Sequence, residues 1–393
     1  LPDLLDALDL TDGKRLTIVA DDAGPSALPM VCDADGQWRR AAAGDGVAEA
    51  LLDVLARESG LTTTRGPFTL HSWTVRAALG ERAIGVDQTN ESVIVGDAAM
   101  VKWATHLQEG PHPAPRRIGV LRDAGFDGMP TPWGFVTWRS ADGVETVAAS
   151  VDAYLPGAVD GWTWAVDLIT AAAIDRDVAP VVDAAARVGT VVAEMHAALR
   201  TTATVASAQD AQRCRDAAFD LLDDACALHD VARERRSEIA QVLDGIGSLA
   251  DSPVIEGHGD LHVGQVLLSD GRFFVTDFDG NPILPAAQRV LSITAAQDVA
   301  GMVQSLTHAA IVARKHTDLD SAAVAEADAA SQQTFLGAYE VRVPGGLYDP
   351  EPVQAFRMQQ VLREIIYAAR HLPRWMYVPD AALPALLDEG VPA

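Results

Sequence analysis

Cysteine is scarce in this chain. Cys32, Cys214 and Cys226 are too scattered for a metal site built on thiolates, and their odd number suggests no disulfide framework, so reduced thiols in a cytoplasmic protein are expected. Positive charge is short as well. Lys+Arg 30 against Asp+Glu 55 leaves a formal charge of −25, which argues against a nucleic acid or an anionic membrane as partner; solubility is the simpler reason for it. No apolar run approaches the roughly 20 residues needed to span a bilayer, and no amphipathic targeting segment is found. A Gly-x-x-x-x-Gly-Lys-Ser/Thr string is missing too, which excludes a P-loop nucleotide site. There is no internal repeat and no long disordered tract, and nothing in the sequence speaks to oligomeric state.

What is present falls into three stretches, as 393 residues lead one to expect. Up to about Ser72, Asp/Gly/Pro punctuation surrounds one strand-like run, Leu16–Ala20, and one helix, Val47–Arg57. Short β-type runs follow at Ile84–Val86, Ser92–Val95, Ala99–Lys102, Trp133–Thr137 and Thr146–Val151. After Pro156 the pattern is helical, with Val181–Leu199, Ala211–Leu243, Thr294–His316, Ala322–Tyr339 and Val353–His371 as the longest segments. The predicted organisation is an α+β protein: an amino-terminal subdomain over 1–75, a small β-rich lobe over 76–155 and a large, mostly helical lobe over 156–393.

The chemistry is concentrated in His258-Gly-Asp260-Leu-His262-Val-Gly-Gln265 and, after a hydrophobic run, Asp277-Phe-Asp279-Gly-Asn-Pro282. An aspartate beside a glycine is usually a turn former; the combined string is much rarer than its parts. Asp260 and Gln265 have the spacing of a kinase catalytic loop, which supplies a base and a metal-binding amide, and Asp277 opens a segment shaped like the metal-binding Asp-Phe-Gly. Val266–Leu268 and Phe273–Thr276 read as two strands joined by a turn at Ser269–Arg272, a hairpin that sets Gln265 beside Asp277. Phosphoryl transfer needs this arrangement, with one group activating a hydroxyl and oxygen ligands holding Mg2+ on the phosphates. His258 and His262 are expected to orient the loop by hydrogen bonds.

Upstream, Asn90–Asp97 and Ala99–Lys102 read as a hairpin ending on a lysine, either a solvated edge residue or the phosphate-binding cation; its apolar neighbours and place before the acidic loops favour the cation. Asn90 and Ser92 are candidate donors to ATP phosphates, and Tyr154 and Leu155 lie where an interlobe hinge would offer backbone groups to an adenine edge. His196, on an apolar helix face, reads as a satisfied core histidine, and Asp298 as a buried structural acid or a helix-start carboxylate.

The two acidic strings, with Asp298-Val-Ala-Gly-Met302 and Asp160-Gly-Trp162, resemble bacterial maltokinases of the aminoglycoside-phosphotransferase, protein-kinase-like fold, over most of the chain and including their amino-terminal cap. Where maltokinases carry Asp-Phe-Glu-Gly-Glu-Pro this chain has Asp277-Phe-Asp-Gly-Asn-Pro282, which is closer to the maltokinase-like glucosamine kinases of actinobacteria. The acidic partner usual for the lysine is not evident in Gly110–Arg117. The resemblance implies Asp260 as base, Gln265 and Asp277 as metal ligands, Asp279 as a second metal or substrate contact, and transfer from ATP to the 6-hydroxyl of glucosamine. Maltose or an aminoglycoside as acceptor, or a nucleotide-binding pseudokinase, are the alternatives. A cationic amino sugar calls for carboxylates and hydrogen-bonding groups, for which Asp260, Asp279 and Glu364, with Tyr367, Arg370 and Trp375, are candidates. Glu364 reads equally as a solvated helix residue.

Overall fold

Before residue 47 the sequence predicts one strand, and the structure has four. In the computed structural model, which describes residues 3–22, 24–74, 76–84, 91–107 and 110–389, β1 (Asp3–Thr11), β2 (Lys14–Asp21), β3 (Gly24–Cys32) and β4 (Trp38–Arg40) form an antiparallel sheet in that order. Aspartates in β1 and prolines in β3 mask the strand signal. The period of two is nonetheless there, since Leu8 and Leu10 are buried while Ala7 and Asp9 are exposed. Helix α1 (Val47–Arg57) lays Leu51, Leu52, Val54 and Leu55 against β1, β3 and the following sheet.

That second sheet is built from β5 (Thr62–Arg65), β6 (Phe68–Ser72), β7 (Glu81–Ala83), β8 (Glu91–Val95) and β9 (Ala99–Trp103), with β10 (Pro132–Arg139) and β11 (Glu145–Ala153) entering after helix α2 (Ala114–Asp123). Its order is β5-β6-β10-β11-β9-β8-β7. The strand expected over Ile84–Val86 extends outside the described residues. Trp138 Nε1 donates to Asp6 Oδ2 at 2.7 Å and the Ala27 N–H to the Ala104 carbonyl at 2.9 Å, so the two sheets enclose one core with Leu16, Ile18, Phe68, Val101 and Trp103 at its centre. These elements make one compact unit, Leu1–Arg122 with Met129–Gly157 and Pro282–Val290.

The second unit, Asp123–Gly128 with Ala158–Asn281 and Leu291–Ala393, is helical. It contains α3 (Gly161–Asp175), α4 (Ala179–Leu199), α5 (Ala208–Leu228), α6 (Asp230–Glu234) and α7 (Arg236–Leu243). The single helix expected over Ala211–Leu243 is broken at His229, whose extended backbone lets its Nδ1 accept the Ala232 N–H while Nε2 meets Asp380 at 2.8 Å. Strands β12 (Thr204–Val205) and β13 (Pro253–Val254) pair, as do β14 (Val266–Ser269) and β15 (Arg272–Val275) in the expected hairpin. After α8 (Ala286–Arg289), part of the first unit, come α9 (Ala295–His316), α10 (Ser321–Arg342), α11 (Val353–His371) and α12 (Tyr377–Glu389). Among the described residues no helix is long and apolar enough to cross a membrane.

Candidate active site

The loop of residues 258–265 is held from below by α9. Asp298, Gly301 and Ser305 are spaced i, i+3, i+7 and so line one helix face. Asp298 Oδ2 accepts the His258 N–H at 2.7 Å and Oδ1 the Gly259 N–H at 2.9 Å; Ser305 Oγ accepts the Val263 N–H at 2.8 Å. At Gly301 a Cβ would lie 2.3 Å from the Leu261 carbonyl oxygen, and at Gly161, where α3 begins, 1.6 Å from that of Val263. Only glycine allows either helix to approach the loop this closely.

Asp298 is therefore a buried structural acid rather than a solvated helix-start carboxylate. Burial pushes its carboxyl up, but the His196 hydrogen bond, neighbouring histidines and the Gly259 N–H outweigh this and hold it below the usual carboxylate value. His196 Nε2 lies 3.2 Å from Asp298 Oδ2, and its Nδ1 lies 2.7 Å from the Tyr339 hydroxyl. Burial pushes the Tyr339 phenol up, which keeps it a donor. The bonds thus select the imidazole tautomer that accepts from Tyr339 and donates to Asp298. His196 is a satisfied core histidine, as its helix face implied.

His258 ties the two acidic loops together. Its Nε2 donates to the Thr276 carbonyl at 2.9 Å, its Nδ1 accepts the Asp260 N–H at 3.3 Å, and its ring packs on Phe278 with centroids 5.1 Å apart. The Asp260 carboxyl is raised, first by burial and then by the Asp277 charge, with His262 opposing. His262 is lowered by burial, with Asp260 opposing; its Nδ1 accepts the Gly264 N–H at 3.1 Å and its ring stacks on Trp162 with centroids 6.0 Å apart. Gln265 Nε2 donates to Asp277 Oδ2 at 3.3 Å, so the hairpin joins amide and carboxylate as its spacing requires. Asp277 has φ of +65°, a left-handed conformation rare for a non-glycine residue, which turns the chain sharply where its carboxylate emerges. Asp279, half-buried, follows two residues on.

From α11, Glu364 joins this group. Its Oε2 accepts the Trp375 Nε1–H at 3.0 Å and its Oε1 the Gln360 amide at 3.3 Å; burial raises its carboxyl, those two bonds lower it, and the Asp260 charge raises it further. Trp375 meets Trp162 edge-on with centroids 6.0 Å apart. A carboxylate and two indoles therefore stand beside Asp260 and His262. Trp162 is not among the single residues the sequence reading picks out; its signal is the helix start at Asp160, whose side chain caps α3 through the Thr163 N–H. Tyr367 and Arg370 have their contacts elsewhere. Tyr367 is exposed with its ring beside His371, and Arg370 pairs with Asp224 at 2.9 Å.

In the first unit, Ser92 of β8 and Ser150 of β11 both register with Lys102 of β9, which makes one cross-strand row on one face of the sheet. Val101 and Trp103 face the core on the other side. The Tyr154 N–H donates to the Ala98 carbonyl at 2.8 Å, so an adenine edge would have to use the Tyr154 carbonyl or Leu155. Asn90 lies outside the described residues. The first turn of α2 holds no acidic residue.

A half-buried carboxylate in one loop stands near an amide–carboxylate pair that joins it to the next, on the mixed helix and sheet fold of protein-kinase-like phosphotransferases, and that is the class of this chain. No family model matches the sequence. Relatives are nonetheless close: a glucosamine kinase of Mycolicibacterium smegmatis is 60% identical over 396 residues, 98% of each chain, and one of Streptacidiphilus jiangxiensis is 44% identical over 408 residues, 98% of this chain and 91% of the relative. A solved glucosamine kinase in complex with glucosamine, ADP and inorganic phosphate superposes with a TM-score of 0.84 at 40% identity, over 98% of this chain and 93% of that one. The chain belongs to the glucosamine kinase family.

Proposed function

We propose that this protein transfers the γ-phosphoryl group of ATP to the 6-hydroxyl of glucosamine. The observation that carries the acceptor is the grouping of Glu364, Trp375 and Trp162 beside Asp260. An amino sugar presents an ammonium that needs carboxylates and a ring face that packs on indole, and this grouping supplies both. Family membership supports the same reading, as does the relative solved with glucosamine and ADP.

Asp260 takes the proton of the acceptor hydroxyl. Its raised carboxyl makes it a stronger base than a solvated aspartate, and the bond of its N–H to His258 fixes the backbone from which it reaches. Gln265 and Asp277 are the proposed Mg2+ ligands, with Asp279 as a further metal or substrate contact. The donor set fits that ion. Among the described residues no group of three or more His, Cys, Asp or Glu is placed to hold a metal alone, and Mg2+ takes most of its octahedron from water and phosphate oxygens with one or two protein oxygens. When bound, the ion neutralises charge on the phosphates.

In the β-rich segment Lys102 steadies the phosphates and Ser92 donates to them, Asn90 being its companion in the sequence motif; the Tyr154 carbonyl and Leu155 are the proposed adenine contacts. Asp279 completes the residues proposed for the sugar, from which Tyr367 and Arg370 stand apart, and 1–75 is the proposed cap. Dependence on ATP and three free thiols fit a cytoplasmic setting. The test is a panel of glucosamine, glucose, maltose and an aminoglycoside with ATP and Mg2+, the product being located by 31P NMR. Glucosamine 6-phosphate is expected; preferred phosphorylation of another acceptor, or nucleotide binding with no product, refutes the assignment.

A further inference from the structure

Gln265 is asked for opposite ends of one amide by its two neighbours. Its main chain is fixed, since its N–H donates to the His262 carbonyl at 2.9 Å and its own carbonyl accepts the Thr276 N–H at 2.8 Å. What is left to turn is the side-chain amide, about a broad and roughly two-fold torsion. On one side Asp277 Oδ2 accepts from Gln265 Nε2 at 3.3 Å, and a carboxylate, which only accepts, draws the NH2 end. On the other side His262 Nε2 lies 3.4 Å from the same nitrogen.

The hydrogen on the His262 ring is placed by its other nitrogen. Nδ1 caps the turn Val263–Gln265 by accepting the Gly264 N–H at 3.1 Å, so it carries no hydrogen and Nε2 does. The stack on Trp162 keeps the ring in this plane. His262 therefore presents a donor to a donor and calls for the amide oxygen, while Asp277 calls for the nitrogen. A cation shared by Gln265 and Asp277 reverses the second demand, because a hard cation takes oxygen and not NH2. An amide turned end for end has Oε1 where Nε2 now stands, and it then satisfies the cation and His262 together.

We propose that His262 is a positioning residue for the metal ligand Gln265: its Nε2–H favours the amide orientation that offers Oε1, and the amide is a two-position element turned by the cation. The proposal rests on the reading of Gln265 and Asp277 as the Mg2+ ligands.

Mn2+, which shares the preference of Mg2+ for oxygen ligands and is counted by EPR, is titrated into full-length protein saturated with ADP. Wild type is compared with His262→Asn, Gln265→Glu and the double variant. Asparagine still caps the Gly264 N–H but has no counterpart of the ring Nε2. With Gln265 in place, His262→Asn is expected to weaken Mn2+ binding about tenfold, the usual cost of losing a group that orients a metal ligand. With Gln265→Glu, whose two ends are both oxygen, the same change should cost less than about twofold. Equal losses in the two backgrounds, or none in either, overturn the positioning role alone. Should His262→Asn fail to fold, 15N NMR of histidine-labelled wild type reads the tautomer directly; a hydrogen on Nε2 of His262 is expected, and one on Nδ1 overturns the proposal. Asp277→Ala and Gln265→Ala variants that bind Mn2+ as wild type does overturn the ligand reading and the proposal with it.

Discussion

Asp260→Asn is expected to move activity and stability in opposite directions. The substitution keeps the shape of the side chain and leaves the backbone bond to His258 untouched, since that bond uses the main-chain N–H. What it removes is a charge that burial opposes and that Asp277 repels. A carboxyl whose folded-state pKa is raised above its unfolded value costs stability while it is ionised, and the cost fades as pH falls through the folded pKa. The neutral amide removes that cost at every pH. The melting temperature of the variant at neutral pH should therefore equal or exceed that of wild type, and the gap should close on acidification. Turnover should fall by about 10²- to 10⁴-fold, the usual worth of a positioned base, which is about 2.7–5.5 kcal/mol of transition-state stabilisation. Differential scanning fluorimetry across pH and a coupled ADP-release assay measure the two effects. A kcat within about tenfold of wild type would refute the base. A melting temperature lower by more than about 3 °C, roughly 1 kcal/mol, would show that the carboxylate is a structural group.

Three other perturbations probe the surrounding parts. Asp277→Asn keeps a residue type that tolerates the +65° φ, so stability should change by less than about 1 kcal/mol, while the Mg2+ concentration for half-maximal activity, measured by titration, rises about tenfold or more. Trp375→Phe deletes the N–H that lowers the Glu364 carboxyl against burial; the pH below which KM for glucosamine climbs should move upward, because Glu364 must be ionised to hold an ammonium, and an unshifted profile would remove Glu364 from the sugar site. Tyr339→Phe leaves the buried His196 Nδ1 without its donor and should cost about 1–2 kcal/mol in chemical denaturation together with a fall in kcat; full turnover would mean that the loop does not depend on this relay.

Much of the layout of the candidate site was legible because it is local. Asp260, Gln265 and Asp277 lie within one short stretch whose geometry is set by a tight turn and two strands, and the pairing of Val266–Ser269 with Arg272–Val275 needs no distant partner to be recognised. Helices with long apolar stripes were equally readable, α1 and α11 to the residue. Where local signals conflict with tertiary ones the reading missed. The prolines of β3 hid a strand that its neighbours enforce, and the apolar pattern through His229 hid a break at which that ring caps the next helix and meets an aspartate 151 positions along the chain.

By itself, then, the sequence determined the paired acidic loops and the helical framework, since turn geometry and side-chain period act over a few residues. Only the tertiary structure decided which partners those groups have. It brought Glu364 and Trp375 to the acidic loops, chose Asp298 as the buried acceptor under residues 258 and 259, and linked Glu81 to a helix that lacked its own cap. The last two are hydrogen bonds whose donors and acceptors are far apart along the chain. Such bonds form because a buried polar group left unpaired is costly, and that cost is set by what surrounds the group in the folded molecule.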